Sequence, residues 1–511
     1  MTRLAHCVMV QGTSSHVGKS VIATALCRVL REEGYAVAPF KAQNMSLNAA
    51  ATPGGAEIGR AQAVQAEAAG VAPRAAMNPI LLKPEADSRS QLVVLGRRRR
   101  TVGAREYWTT RGLLWPVVRK ALGEMRREFE VVVIEGAGSP AEVNLARGDL
   151  ANMRVARACG ARVLLVGDIE RGGVFAQLLG TLDLLAPSDR PRVRGLLVNK
   201  FRGDPALFSG GVRYLARASG VPVLGVLPYA ADLGVAPEDA LSLEAPRSAG
   251  GRPNRRMGSA GRGPDIAVLR LPHLSNFDEF VPLASAGAAV RYVADPGALA
   301  VPDLVIVPGS KTTIADLAWL RATGLAARLR ALADAGVPIL GICGGYQMLG
   351  LSLADPDGVE GPARRVRGLG LLPLRTTFRR AKTTVPVRGT IVSAFAGAAL
   401  KALPFDGYEI HLGDTTRGGC GPFALLARAT GGARIRDGAV SADGLVAGTY
   451  VHGLFESAEV RAALLRGLSR RSGRAFEPVA LPADPYAALS SWFREAVDFR
   501  KLCAALELPA R

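Results

Sequence analysis

The sequence has no paired cysteine spacing, no long apolar run and very little lysine. Its six cysteines, at positions 7, 27, 159, 343, 420 and 503, form neither CxxC nor CxxxC. That spacing argues against a zinc ribbon or a disulfide framework and fits a reducing compartment. No stretch approaches the ~18 consecutive apolar residues of a membrane span, and MTRLAHCVMVQG lacks the extended apolar core of a signal peptide. A cytoplasmic protein without membrane association is the expectation. Lysine stands at only nine positions, 19, 41, 83, 120, 200, 311, 382, 401 and 501, in a chain with 64 lysines and arginines together. Against that background a lysine can mark a place where a compact point charge is needed and a planar fork will not serve.

The net charge of +20 raises the question of a nucleic-acid partner. The arginines, however, are spread through an Ala-, Gly- and Arg-rich chain, and the densest run, Arg97–Arg100, has no interleaved aromatics. That run reads as a solvated loop. No nucleic-acid partner is expected, and a polyanionic small substrate would suit the same surface.

A chain of 511 residues exceeds one ordinary core and implies roughly two to four domains. Short β-branched runs at Cys7–Val10, Ala36–Phe40, Val131–Ile134, Arg162–Val166, Gly195–Asn199 and Val223–Val226 alternate with helical stretches such as Ser20–Glu33 and Gly112–Glu128. This is the pattern of a parallel sheet with helices on both faces. Residues 245–264, rich in Gly, Pro, Arg and Ser without periodicity, read as a linker or insertion. A second α/β block starts at DIAVLRL (265–271), runs through DLVIVPGS (303–310) and VPILGICGG (337–345), and reaches VAGTYVHGLF (446–455). The helical segment from about Ser457 is expected to pack on this block. The expected division is therefore 1–244, 245–264 and 265–511.

VMVQGTSSHVGKSVIATAL (8–26) reads as strand, glycine-rich loop and helix. Gly18, Lys19 and Ser20 match the end of a phosphate-binding loop, whereas Thr13 stands where the strict pattern has its first glycine and Gly12 lies one residue earlier. Backbone N–H groups from Gly12 through Ser14 and the helix N-terminus still make an anion cradle. Lys19 supplies the point charge for ATP, and the Ser20 hydroxyl can ligate Mg²⁺. Glu135 closes the buried strand VVVIE, and Asn199 closes LLVN, where a side-chain amide can read an adenine edge. Both lie at the carboxyl ends of parallel strands, where open α/β sheets bind ligands.

Further along, GICGG fits the turn of a nucleophile elbow. The strand VPILGI would deliver Cys343 to a sharp bend, and Gly344 N–H is the natural oxyanion donor. A second donor is expected from the PGS turn (308–310), at Gly309. The competing reading is a small buried thiol, a common place for free cysteine. Of the five histidines, His452 is best placed to serve as base, since it follows the strand VAGTYV.

These features carry family resemblances. The GTxxxVGKS loop resembles dethiobiotin synthetase and its relatives, which phosphorylate a carboxylate. That likeness implies Glu135 as a Mg²⁺ ligand and Glu57, in GAEIGRAQ, as a second acidic ligand. Cysteine elbow, PGS turn and late histidine resemble class I glutamine amidotransferase domains, with their flavodoxin-like fold. In those domains an acid two residues after the histidine usually orients it, but position 454 is Leu, which leaves Glu456, Glu409 or the backbone.

FKAQNMSLNA (40–49), NPILLKPEAD (78–87), GDLANMRVA (148–156), GDIERGGVFAQ (167–177), NKFRGD (199–204), RLPHLSNFDEF (270–280), VPGSKTTIADLAWLR (307–321), GYEIHLG (407–413) and GTYVHGLFE (448–456) as a set resemble the cobyric acid synthase family. The resemblance implies ATP- and glutamine-dependent amidation of a corrin polycarboxylate. It further implies that Lys41, Asn44 and Ser46 lie near the phosphates or the substrate carboxylate. Asp149, counted with the catalytic residues, and Asn152 would lie on a loop facing the corrin, with Asp168 near metal or substrate. Lys311 would contact the glutamine carboxylate or cover a domain interface. Simpler roles stay open: NMSLN can cap a helix, and Asp149 can be an N-cap. The alternatives are a cobyrinic acid a,c-diamide synthase, which shares both domain types, and a partitioning-type nucleotide-switch ATPase.

Overall fold

In a computed structural model, residues 4–86, 88–230, 233–235, 263–429 and 431–509 are described. Of the expected linker 245–264, only 263 and 264 are among them. The chain forms two compact units, one of residues 1–46, 57–235 and 484–511, the other of 47–56 and 236–483.

The first unit is built on six parallel strands: β1 (His6–Gly12), β2 (Val37–Phe40), β3 (Val131–Glu135), β4 (Arg162–Asp168), β5 (Val193–Phe201) and β6 (Val223–Pro228), in the order 6-5-4-1-3-2. Successive residues serve opposite faces. Cys7, Met9, Val132, Ile134, Val163 and Leu165 enter one core, whereas Val8, Val10, Val131, Val133, Leu164 and Val166 enter the other. Burial on both faces is why these strands read as unbroken apolar runs. The chain leaves β1 toward β2 on one side and crosses to β4 on the other, so the carboxyl ends of β1, β3, β4 and β5 surround the reversal of strand order.

Three expectations change in this unit. Arg97–Arg100 is not a loop but part of the strand Arg97–Gly103, the edge of a small sheet that pairs with Arg89–Val94. Exposed arginines there keep an edge strand from pairing with other chains. The helix expected over Gly112–Glu128 begins at Trp115, after a 3-10 turn, with a proline in its first turn. The C-terminal helices Ala487–Ala496 and Phe499–Leu506 belong here rather than to the second block. Leu489, Trp492, Phe493 and Leu502 join the core formed by Val8, Ile22 and Leu26, and Trp492 Nε1 donates to Pro228 O at 3.0 Å. An amphipathic helix declares its apolar face, not the surface that receives it.

The second unit has its own six-stranded sheet: β7 (Asp265–Leu269), β8 (Ala289–Val293), β9 (Leu304–Val307), β10 (Ile339–Ile342), β11 (Ala439–Val440) and β12 (Val446–Thr449), in the order 8-7-9-10-12-11. All its pairings are parallel except that of β11 with β12. A mixed four-stranded sheet and an antiparallel five-stranded one, built mainly from residues 352–437 and with Val451–His452 at one edge of the second, complete the unit. Residues 47–56 group with this unit; Ala49 N donates to Asn276 Oδ1 at 3.0 Å.

Candidate active site

In the first unit, β1 ends at Gly12, where an added Cβ would collide with Val17 and crowd Lys19. Thr13 N donates to Val166 O at 2.9 Å and its hydroxyl to Gln177 Oε1 at 3.2 Å. Gly18 caps the helix Lys19–Glu32 at φ 102°, a conformation that favours glycine. Lys19 Nζ donates to Ser14 O and Gly138 O, each at 2.9 Å. The ammonium therefore bridges the loop after β1 and the loop after β3.

Glu135 is fully buried at the end of β3. Its Oε1 accepts from Ser20 Oγ and from Lys41 Nζ, both at 2.8 Å. Its Oε2 accepts from Gln65 Nε2 at 2.6 Å and Gln62 Nε2 at 3.4 Å, and Gln62 in turn accepts from Asn44 Nδ2 at 3.0 Å. Removing one partner of a buried ion pair such as Lys41–Glu135 costs about 3–5 kcal/mol, because the other charge stays buried. Gln62 and Gln65 went unassigned in the sequence, although amides three residues apart among helix alanines are the available signal. Hydroxyl and carboxylate oxygen side by side are the hard donors that Mg²⁺ takes while keeping several waters, so Ser20 and Glu135 fit that ion once Lys41 and the two amides release the carboxylate. Glu57 is paired with Lys83 Nζ at 2.7 Å, both buried, and could ligate a metal only if that pair opened.

The remaining residues expected at this site mostly hold loops. Asn199 Nδ2 donates to Val17 O at 2.8 Å, which places the amide on the phosphate loop. Asp168 accepts from Glu170 N at 2.9 Å and from Lys200 Nζ at 2.7 Å. Asp149 accepts from the backbone N–H groups of Ala151, Asn152 and Arg154 at 2.8–3.0 Å, as a cap would. Asn152 clasps Ala137 through both ends of its amide, at 3.1 and 2.7 Å. Ser46 is buried and its N–H donates to Leu82 O at 3.1 Å.

In the second unit, Cys343 follows β10 with φ 52° and ψ −109°, a strained turn for a residue with a side chain. The strain is held by a bond from Cys343 N to Thr449 O at 2.8 Å and by glycines on both sides. A Cβ at Gly345 would overlap the Val307 carbonyl. The PGS turn after β9 lies against this elbow: a Cβ at Gly344 would stand 2.9 Å from Ser310 N, and one at Gly309 would stand 3.0 Å from His452 Cε1. Asp316, fully buried, pins the turn by accepting from Ser310 Oγ at 2.6 Å and pairing with His273 Nδ1 at 2.7 Å. Lys311 N donates to His273 O at 3.0 Å.

His452 is buried. Its Nδ1 faces both carboxylate oxygens of Glu279, at 3.2 and 3.3 Å, while the Cys343 sulfur donates to Ile410 O at 3.4 Å. Burial alone would depress the imidazole, but the charges of Glu279 and Cys343 outweigh it and push the pKa up to about 10. Burial likewise raises the Glu279 carboxyl. Neither acid expected to orient the imidazole is its partner here: Glu456 is exposed, and Glu409 is engaged by Arg428 at 2.8 Å and His411 at 3.4 Å. The acid comes from a 3-10 turn, Phe277–Phe280, far upstream. SNFDEF stood out in the sequence, but no local spacing tied it to a histidine more than 170 residues away. The paired imidazole and carboxylate and the PGS turn thus gather at the Cys343 elbow, an arrangement suited to acyl transfer.

Comparison with known proteins gives each unit a counterpart. Residues 8–243 match the CobQ/CobB/MinD/ParA nucleotide binding domain, and residues 265–460 match the CobB/CobQ-like glutamine amidotransferase domain. Together these define an enzyme of the glutamine-dependent amidoligase class. Cobyric acid synthases match nearly the whole chain. That of Dehalococcoides mccartyi is 48% identical over 475 residues, 93% of this chain and 92% of its own. That of Sorangium cellulosum is 49% identical over 510 residues, 96% of each, and that of Chloroflexus aggregans is 50% identical over 465 residues, 90% and 91%. The chain belongs to the cobyric acid synthase family.

Proposed function

We propose that this chain amidates the b, d, e and g carboxylates of adenosylcobyrinic acid a,c-diamide, giving adenosylcobyric acid, with ATP and glutamine as co-substrates. The observation that carries the proposal is that one chain holds both a lysine-bearing phosphate loop closed by a buried carboxylate and a Cys343 elbow beside the paired His452 and Glu279. Residues 1–244 would supply the ATP-dependent step and the block from 265 the glutaminase step, with the C-terminal helices serving the first. Free, unpaired cysteines and the absence of a membrane-spanning helix among the described residues agree with action in the cytoplasm on small molecules.

In the glutaminase step the Cys343 sulfur attacks the glutamine side-chain amide, with Gly344 and Gly309 N–H groups receiving the developing oxyanion. His452 takes the thiol proton as the sulfur attacks, is stabilised as imidazolium by Glu279, and gives that proton to the departing ammonia; water, losing a proton to His452, then cleaves the thioester and releases glutamate. In the synthetase step Lys19 and the backbone of Gly12–Ser14 hold the ATP phosphates. The γ-phosphoryl group passes to a substrate carboxylate, ammonia attacks the acyl phosphate, and phosphate leaves. Mg²⁺, held by Ser20 and Glu135, would neutralise phosphate charge. Lys41, Asn44 and Ser46 would position the reacting carboxylate, with Asp149 and Asn152 shaping the loop beside it.

The test incubates the chain with ATP, glutamine and the corrin a,c-diamide and reads products by mass. Four successive amidations are expected. Consumption of unamidated cobyrinic acid instead would identify the a,c-diamide synthase activity, and ATP turnover indifferent to corrin would identify a nucleotide switch.

A further inference from the structure

Several large apolar side chains of the first unit lie open to solvent on segments tied to one another by hydrogen bonds. Met45 is 53% exposed, Trp108 45%, Leu113 78% and Val143 65%, with Leu145 also exposed. Bonds connect the segments that carry them. Tyr107 OH donates to Gln43, two residues from Met45. The Arg111 guanidinium stacks on the Trp108 ring at 3.6 Å and donates to Leu145 O at 3.5 Å. The loop bearing Val143 and Leu145 is the one whose Gly138 carbonyl accepts from Lys19.

A cluster of this kind marks a binding surface more often than chance exposure does. Its charge specifies the ligand: Arg111 lies against Trp108, and the strand leading to the Trp108 helix adds Arg97, Arg98 and Arg99, whereas the single acid of residues 97–111, Glu106, is paired with Arg100 at 2.6 Å. Among the described residues Arg111 meets one acceptor, out of the five N–H donors a guanidinium carries. A flat apolar ring bordered by carboxylates matches both the apolar side chains and the arginines.

We propose that Met45, Trp108, Leu113, Val143 and Leu145, with Arg111 among them, form the docking surface for one face of the corrin macrocycle. The ring lies on the apolar side chains, its unreacted carboxylates meet the arginines, and the reacting one reaches Lys19. This rests on the amidation activity proposed above.

The test uses the full chain with ammonia as nitrogen source, so that the glutaminase step is bypassed. KM and kcat are measured for the corrin a,c-diamide, and corrin binding is followed by quenching of tryptophan fluorescence. Trp108→Ala is expected to raise the corrin KM about tenfold, the loss of roughly 1.4 kcal/mol of contact, with kcat and the KM for ATP within about twofold. Trp108→Phe should restore most of the affinity. Leu113→Glu, which sets a negative charge against the carboxylates, should raise KM at least as far, whereas Leu207→Glu, at another exposed site of the same unit, should change nothing. Unchanged corrin KM and quenching in both Trp108→Ala and Leu113→Glu, with the wild type active on corrin, overturns the docking surface alone. The same result with a shift in sedimentation would make the patch a subunit interface and overturn it equally. A wild type that neither binds nor amidates corrin overturns the amidation proposal as well.

Discussion

The two candidate sites present their charges in opposite ways. In the second unit the acid and base are already paired beside the elbow: Cys343 is held at a strained φ, His452 faces Glu279, and Asp316 pins the neighbouring turn. In the first unit the cation proposed to take phosphate is held by carbonyls, since Lys19 rests on Ser14 O and Gly138 O. Glu135 is saturated by Ser20, Lys41, Gln62 and Gln65. An acyl-transfer site can wait ready because its charges neutralise one another. A phosphate site cannot: its positive charge must be satisfied internally until a polyanion replaces the carbonyls. The glutaminase half thus looks preorganised, and the synthetase half has to exchange partners when ATP arrives.

Lys19→Ala probes the exchanging site most severely. ATP-dependent amidation should fall by about 10³-fold with either nitrogen source, measured by product mass. Activity that persisted would remove Lys19 from phosphate binding. Cys343→Ala probes the other half: glutamine-dependent amidation should fall by a similar factor, while the rate with ammonia stays near wild type. Loss of both activities in a folded variant would merge the two sites into one.

Glu279→Gln keeps the shape of the pair and removes the carboxylate charge. Glutaminase kcat should fall roughly 10²-fold, with little change in ammonia-dependent amidation; an unchanged kcat would leave Glu279 as packing. The same variant reads the linkage. The imidazole is raised from about 6.5 to about 10, so its contribution to stability is complete below about pH 6.5 and is lost as pH rises toward 10. The raised Glu279 carboxyl has the same sign at lower pH. The melting-temperature gap between wild type and Glu279→Gln should therefore narrow from pH 7 to pH 10, and a constant gap would contradict the pairing. The smallest effect is expected from Gln65→Leu. It removes one neutral donor from Glu135 and should raise the Mg²⁺ requirement of the synthetase reaction by about threefold to tenfold, leaving glutaminase turnover alone.

Much of this molecule was legible in its residue order because the signals were local. Unbroken apolar runs marked β1 and β3–β6, GKS marked the anion loop, and glycines on both sides of Cys343 marked the elbow. In each case a backbone constraint acts within a few positions, and the sequence carries it directly. Tertiary structure alone decided what crosses the chain. It brought Glu279 to His452 when the nearby Leu454, Glu456 and Glu409 were the places to look. It set Gln62 and Gln65 on Glu135, turned Asn199 onto the phosphate loop, and sent the last helices to the first unit rather than the second. Burial is the physical reason. A carboxylate or an apolar helix face must find a partner, but periodicity records only that the need exists, and the packed fold determines which distant group meets it.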